Sequence, residues 1–363
     1  FSTQPTPDPF KFMRPEQWEI FKKAARGERL DNVPMALIID SPWIPGYVGV
    51  KHMDFYLNPQ VWFESHLKIH EEFPDVIFVP GWWMEYGMAA EPSALGAKIK
   101  FWDDNTPSEY HNLFSIDDVD KLHKYEVESD AFMAMTLHRI RMQKQQVFDA
   151  GYIMPMVTAR GPMCTAGFVR NTSDLMLDLV DEPEKVHKLL NLTTNLIIDW
   201  LKAQQKAIGD CVEGLFILDD IVGFVNEDHY LEFCHPYLKR INDAFPDDWV
   251  KLYHNDADVV ACMDHLPEAG FNVLNWGKQT DITEVIERIG DEMTLMGNVN
   301  PLEIGVRGTP EDVHRATMDV LKKSEGERVI LSVGGGVSPE MPRENIQAML
   351  GALNEFNATR NAG

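Results

Sequence analysis

The stretch VEGLFILDDIVGFVNEDHYLEFCHPYLKRINDAFPDDWVKLYHND, residues 212–256, decides the fold. It opens on a short apolar run ending in Asp219-Asp220. It closes on a second apolar run ending in His254-Asn255-Asp256, and the segment between the two has helical period. Strand, helix, strand in that order is a parallel pair joined by a crossover helix. Outward from this unit the rhythm repeats. Similar runs occupy residues 33–40, 76–80, 152–160, 272–277, 293–300 and 328–336, with helical candidates between them. One helical stretch, residues 173–209, is broken near Pro183. Helix starts carry capping chemistry at Ser173-Asp174 and at Thr309-Pro310-Glu311.

Eight apolar strands that do not alternate polar and apolar residues suit a parallel sheet buried on both faces. The 363 residues match one (β/α)8 TIM barrel in length and count. A doubly wound open sheet is the alternative, but no glycine-rich phosphate loop follows the first strand. The expected organisation is a single barrel domain over 1–363, with an N-terminal extension over about 1–16 and a hairpin-like insertion over about 80–125.

Composition narrows the functional classes. With 44% hydrophobic and 25% charged residues the chain is an ordinary globular one. Its net charge of −24, from 33 basic and 57 acidic residues, opposes phosphate backbones and excludes nucleic acid as a partner. No apolar run is long enough to span a membrane, and no secretory leader pattern is seen. Cys164, Cys211, Cys234 and Cys262 form no CxxC pair, so free thiols and a cytoplasmic location are expected.

In a β/α barrel the chemistry sits at the carboxyl ends of the strands. That rule brings Asp40, Trp83, Glu85, Tyr86, Cys164, Asp219, Asp220, His254, Asp256, Trp276, Asn298 and Gly334-Gly335-Gly336 to one mouth. Asp219, Asp220, His254 and Asp256 could hold a divalent metal. They could equally act as acid and base on a substrate, or form a structural network in which an aspartate caps the next helix. The rings Trp43, Tyr47, Trp82, Trp83, Tyr86 and Trp276 either grip a flat ligand or fill the rim. His138, His187 and His314 fall in helical segments and read as surface or packing residues.

The late segments resemble the uroporphyrinogen decarboxylase superfamily, most closely its corrinoid-dependent methyltransferase branch. The pieces that carry the resemblance run from about residue 17 to 352. They include EPSALGAKIKF (91–101), GPMCTAG (161–167), HNDADVVACMDHLPEAGFNVLNW (254–276) and GGGVSPEMPRENIQAML (334–350). The resemblance implies a β/α barrel. The arginine-rich amino-terminal element of the decarboxylase is absent, although Arg14, Arg26 and Arg29 lie in that region.

Members that methylate coenzyme M hold zinc with a His-x-Cys motif and a later cysteine. The matching positions here are His254, Asp256 and Gly335, so the histidine is kept and both thiolates are missing. Other members take methyl groups from methoxylated aromatics and use Glu/His ligands. In this chain Asp219, Asp220, Glu232 and His254 stand in that order.

The resemblance therefore implies transfer of a methyl group between a small methylated compound, a methoxylated aromatic undergoing O-demethylation, and cobalamin, free or on a separate corrinoid protein. The expected catalytic residues are His254, Asp220 and Asp219. His254, Asp220 and Asp256 would be ligands to zinc or a like metal, and Trp43, Trp83, Glu85, Tyr86, Cys164, Trp276 and Asn298 the substrate contacts. The alternatives are a uroporphyrinogen decarboxylase-like decarboxylase and a non-catalytic ligand-binding paralogue. A homodimer is left open.

Overall fold

A computed structural model describes residues 15–362. Each of the eight apolar runs contains one barrel strand: β1 Ala36–Ile38, β2 Ile77–Val79, β3 Met156–Arg160, β4 Gly214–Leu218, β5 Val250–Asn255, β6 Val273–Trp276, β7 Thr294–Val299 and β8 Val329–Val333. Nearly every strand residue is buried, as expected where helices cover one face and the barrel interior takes the other. The ladders run in parallel from β3 through β4, β5, β6 and β7 to β8, and β1 pairs with β2. Bridges Met35–Leu331 and Ile38–Gly336 join β1 to β8, giving a TIM barrel.

The seam between β2 and β3 is closed differently. No ladder joins these strands among the described residues. Side chains take the place of a strand on the free edge of β3. Gln204 accepts from Thr158 N (3.2 Å) and donates to Thr158 O (2.9 Å), while Glu91 Oε1 accepts from Arg160 N (2.9 Å). An unpaired buried peptide group costs about 1–3 kcal/mol, so these contacts are what the open edge requires.

Helix Pro183–Ile208 carries Gln204 and docks through Val186, Leu189, Leu190, Ile197, Trp200 and Leu201, spaced three and four apart. Burying each aliphatic side chain contributes roughly 1.5–3 kcal/mol. The preceding helix, Thr172–Asp181, ends before Pro183 as expected. Its cap differs from the expected Ser173-Asp174. Asn171, at φ 84°, accepts from Ser173 N, because its amide tolerates the left-handed backbone that leads into this turn. Thr309 and Asp312 form a reciprocal capping box.

Residues 80–125 hold a short helix, Ala90–Ala94, an antiparallel hairpin of Lys98–Lys100 with Ser108–Tyr110, and a 3-10 turn, Ile116–Lys121. The extension expected over about 1–16 lies, up to residue 14, outside the described residues, and helix Pro15–Ala25 follows it. All four cysteines are free thiols. No helix among the described residues is long and apolar enough to cross a membrane.

Candidate active site

A cavity of about 240 Å³ opens at the carboxyl ends of the strands. Its polar wall is Asp40, Ser41, Glu85, Arg160, Asp220, His254 and Asp256. Its apolar wall is Ile38, Pro42, Met88, Pro107, Leu218, Val337 and Pro339.

Strand β5 delivers His254 as its penultimate residue, buried to 3% exposure. Asn275, its ladder partner on β6, fixes the ring. The Asn275 amide nitrogen donates to Met296 O (2.7 Å) and Val333 O (3.1 Å), so its oxygen must accept from His254 Nδ1–H at 2.7 Å. Nε2 therefore faces the acids, at 3.7 Å from Asp220 Oδ1 and 3.6 Å from Asp256 Oδ2. Asp220 in turn accepts from Asp256 N at 2.7 Å.

Burial alone would pull the His254 pKa down. The Asp256 charge, with the Asp220 charge and the Asn275 hydrogen bond, outweighs it and holds the imidazole at about 9. Burial acts against the Asp256 charge too, yet His254 keeps its carboxyl below the usual range.

One ligand atom from each of Asp220, His254 and Asp256 lies within 4.8 Å of the others. The donor set, one nitrogen and two carboxylates around a ring fixed by a neighbouring amide, fits a zinc-like divalent cation. The missing thiolates are accounted for in space. A Cβ on Gly335 would collide with the Asp256 carboxylate, and Gly335 sits at φ +99°. One acidic side chain thus occupies the ground of both.

Asp219, expected among the catalytic residues, is placed elsewhere. It is fully buried, and its carboxylate accepts from Cys164 N (2.7 Å) and Met163 N (3.4 Å) at the start of helix Pro162–Arg170. Gly161 leaves room for it, since a Cβ there would strike the carboxylate. Asp219 caps the helix that follows the neighbouring strand β3, and burial lifts its pKa to about 7. Asp219 and Asp220 diverge because successive strand-end residues point opposite ways.

The expected aromatic grip is also corrected. Trp43 and Trp276 are buried, and their indole N–H groups donate to Met341 O and Thr280 O. Tyr86 stacks among Tyr56, Phe101 and Phe132. Ring burial and N–H satisfaction draw these groups into the core instead of the cavity wall. Trp83 and Tyr86 line a small adjoining pocket that shares Glu85 and Arg160 with the cavity, and the Arg160 guanidinium lies 5.6 Å from the Trp83 ring centre.

Cys164 sits behind Asp219, with its thiol pKa pushed up by burial and by the neighbouring Asp219 charge. Asn298 does not line the cavity. It donates to Gly277 O and Thr280 O, holding the loop after β6. Glu232 points away, 3.5 Å from His187. Of the expected substrate contacts, Glu85 alone lines the cavity, with its oxygens accepting from Ser41 N and Gly87 N.

Two cavity residues escaped the expected set, Asp40 and Arg160. Both stand at strand ends, so the same rule contained their signal. Burial, reinforced by Glu85, lifts Asp40 to about 7.

The sequence model of the uroporphyrinogen decarboxylase (URO-D) family matches residues 17–356. A uroporphyrinogen decarboxylase of Thermodesulfovibrio yellowstonii is 23% identical over 340 residues, 93% of this chain and 98% of that one. Another, from Prochlorococcus marinus, is 29% identical over 231 residues, 61% of this chain and 63% of its own length. Among solved structures, a methyltransferase from Methanosarcina mazei superposes with TM-score 0.79 at 19% identity, covering 96% of this chain and 99% of its own. A B12-independent methionine synthase from Shewanella superposes at 0.53 with 11% identity, covering 83% of this chain and 88% of that one.

Proposed function

The chain belongs to the uroporphyrinogen decarboxylase (URO-D) family, and from that premise we propose that it is a methyltransferase. Its donor is a small methylated compound, best matched by a methoxylated aromatic that is O-demethylated. Its acceptor is the cobalamin of a separate corrinoid protein. The observation that carries this reading is the Asp220, His254 and Asp256 constellation in the barrel mouth. The name of the Methanosarcina relative is in line with it. The cavity of about 240 Å³ suits a single ring. A porphyrinogen bearing many carboxylates calls for several arginine partners, and among the described residues Arg160 is the one arginine on this wall.

Asp220, His254 and Asp256 would hold a divalent cation, which when bound supplies Lewis-acid stabilisation to the oxygen that loses its methyl group. The residues do the rest. Asn275 keeps His254 Nε2 aimed at the site. With no cation, His254 stays protonated to about 9 and offers its Nε2 proton to the departing phenolate, whose own pKa is near 10. Asp40, near 7, holds a further proton at the opposite wall. Leu218, Met88 and Val337 exclude water around the ring. The carbon–oxygen bond would break with its electron pair on oxygen as the methyl carbon passes, at the open mouth, to the partner's reduced cob(I)alamin, whose cobalt would supply the electron pair of the new bond to carbon.

A second reading rests on the names of the relatives, decarboxylases by title. One experiment separates the two. Reduced cobalamin is mixed with the protein and a panel of methoxyaromatics, methylamines and methyl thioethers, while uroporphyrinogen decarboxylation is followed in parallel. Methylcobalamin formation, reduced ~10²-fold or more in His254→Ala and Asp220→Ala, supports methyl transfer. Carbon dioxide release from uroporphyrinogen with no methylcobalamin from any donor overturns it.

A further inference from the structure

Arg160 has an arrangement unlike the other buried arginines of the barrel. Arg170 fills its guanidinium with Asp178 at 2.7 Å, Asp174 at 3.0 Å and the Phe114 carbonyl. Arg139 donates to Tyr56 O and lies over Trp62 and Tyr86, away from the cavity. Arg160 is 8% exposed and lines the cavity, and among the described residues its guanidinium has no hydrogen-bond partner, its backbone N–H alone being bonded, to Glu91. None of its side-chain nitrogens is among the buried polar atoms sealed without a partner, so they are reachable from the cavity. The guanidinium carbon lies over the Trp83 ring, 5.6 Å from its centroid, and Phe216 backs that ring from 6.1 Å. Its charge is balanced at a distance by Asp40, Glu91 and Asp256. A fixed planar fork with open donors is the group that pairs bidentately with a carboxylate.

Its position sets the size of the ligand. Arg160, Leu218 and His254 stand in one ladder row on β3, β4 and β5. Two strand spacings separate the outer backbones by ~10 Å. Both side chains line the cavity, whose volume of about 240 Å³ suits a ligand built on a single substituted benzene ring. Glu85, the other acid on this part of the wall, already has its oxygens on the Ser41 and Gly87 N–H groups.

We infer that Arg160 forms a carboxylate subsite and that the cavity takes a single-ring aromatic acid, its carboxylate on Arg160 and its opposite substituent toward His254. That this acid is the methyl donor rests on the methyltransferase reading. The subsite itself is read by binding.

Calorimetric titration compares 3- and 4-methoxybenzoate with the matching methoxybenzamides and with anisole, on the full chain and on Arg160→Gln and Arg160→Lys. The acids should bind the wild-type protein about tenfold or more tighter than the amides. Arg160→Gln should lose that preference, and Arg160→Lys, which keeps charge without the fork, should retain part of it. The wild-type comparison needs no variant to fold. Equal binding of acid and amide, no binding of either acid, or a preference that survives in Arg160→Gln overturns the inference. Arg160-dependent binding of acids with no methylcobalamin from any donor upholds the subsite and removes the methyl transfer.

Discussion

The Asp256 carboxylate lies in the space that a side chain on Gly335 would take. These positions come from β5 and from the loop after β8, far apart in the sequence. In the coenzyme M-methylating members of the family both matching positions are cysteines. Here the absence of a side chain at Gly335 leaves the room that the Asp256 carboxylate occupies.

Gly335→Ala should therefore hurt twice. Its φ of +99° strains any L side chain, at about 1–3 kcal/mol, and the new Cβ displaces Asp256. Urea denaturation should show the stability loss, and zinc titration a weakened affinity. In an Asp256→Ala background the steric part should vanish while the backbone strain persists. Full additivity of the two changes would refute the contact.

Removing the metal ligands should be decisive. The purified protein should carry about one equivalent of divalent metal by elemental analysis, and His254→Ala should lose it. A metal-free protein with activity unchanged in chelator would leave only the protonated His254 version of the chemistry.

Asn275 acts through His254. Asn275→Ala should lower metal affinity about 10–100-fold with every ligand intact. In the chelator-treated, metal-free protein it should also bring the His254 pKa down from about 9, because the amide hydrogen bond helps hold the charged form. A nuclear magnetic resonance titration of the imidazole reads this directly. An unmoved pKa would contradict the assigned role.

Asp219 should prove structural. Asp219→Ala strands the N–H groups of Met163 and Cys164 in a buried place. The loss in folding free energy should be about 1–3 kcal/mol. Unchanged stability with abolished metal binding would instead put Asp219 in the site.

Acid stability should be set in part by His66 and His70. Both are buried against Trp82, and burial keeps His66 neutral down to about 4 and His70 well below its usual 6.5. The unfolded chain binds these protons from about 6.5 downward, so stability falls as pH drops below that value. Each group contributes a slope of ~1.4 kcal/mol per pH unit. His70→Phe, which keeps the ring stack, should flatten the decline between pH 6.5 and 5. The same decline in wild type and variant would exclude His70.

Much of the barrel is written locally. The apolar runs that end at Asp219-Asp220 and at His254 are strands because neighbouring residues, read two at a time, say so, and the crossover helices follow from three- and four-residue spacing. The strand-end rule also brings Asp220, His254, Asp256 and Glu85 to the mouth, where they stand. The same rule contained Asp40 and Arg160, whose worth no local pattern displays.

The rest depends on what each residue meets across the barrel. Asp219 and Asp220 are identical in kind and adjacent in sequence, yet one caps a helix and the other faces His254. Trp43, Trp276 and Tyr86 look like a ligand grip until Met341, Thr280 and Phe101 take them into the core. Arg160 looks like the end of a strand until its guanidinium is seen to lack a partner. Sequence alone determined the elements and the end of the barrel that carries chemistry, because periodicity and strand polarity are properties of contiguous residues. Tertiary structure decided which side chains are free to act. A polar or aromatic group is free only when no distant residue satisfies or buries it, and that depends on strand register and on contacts between residues far apart in the chain.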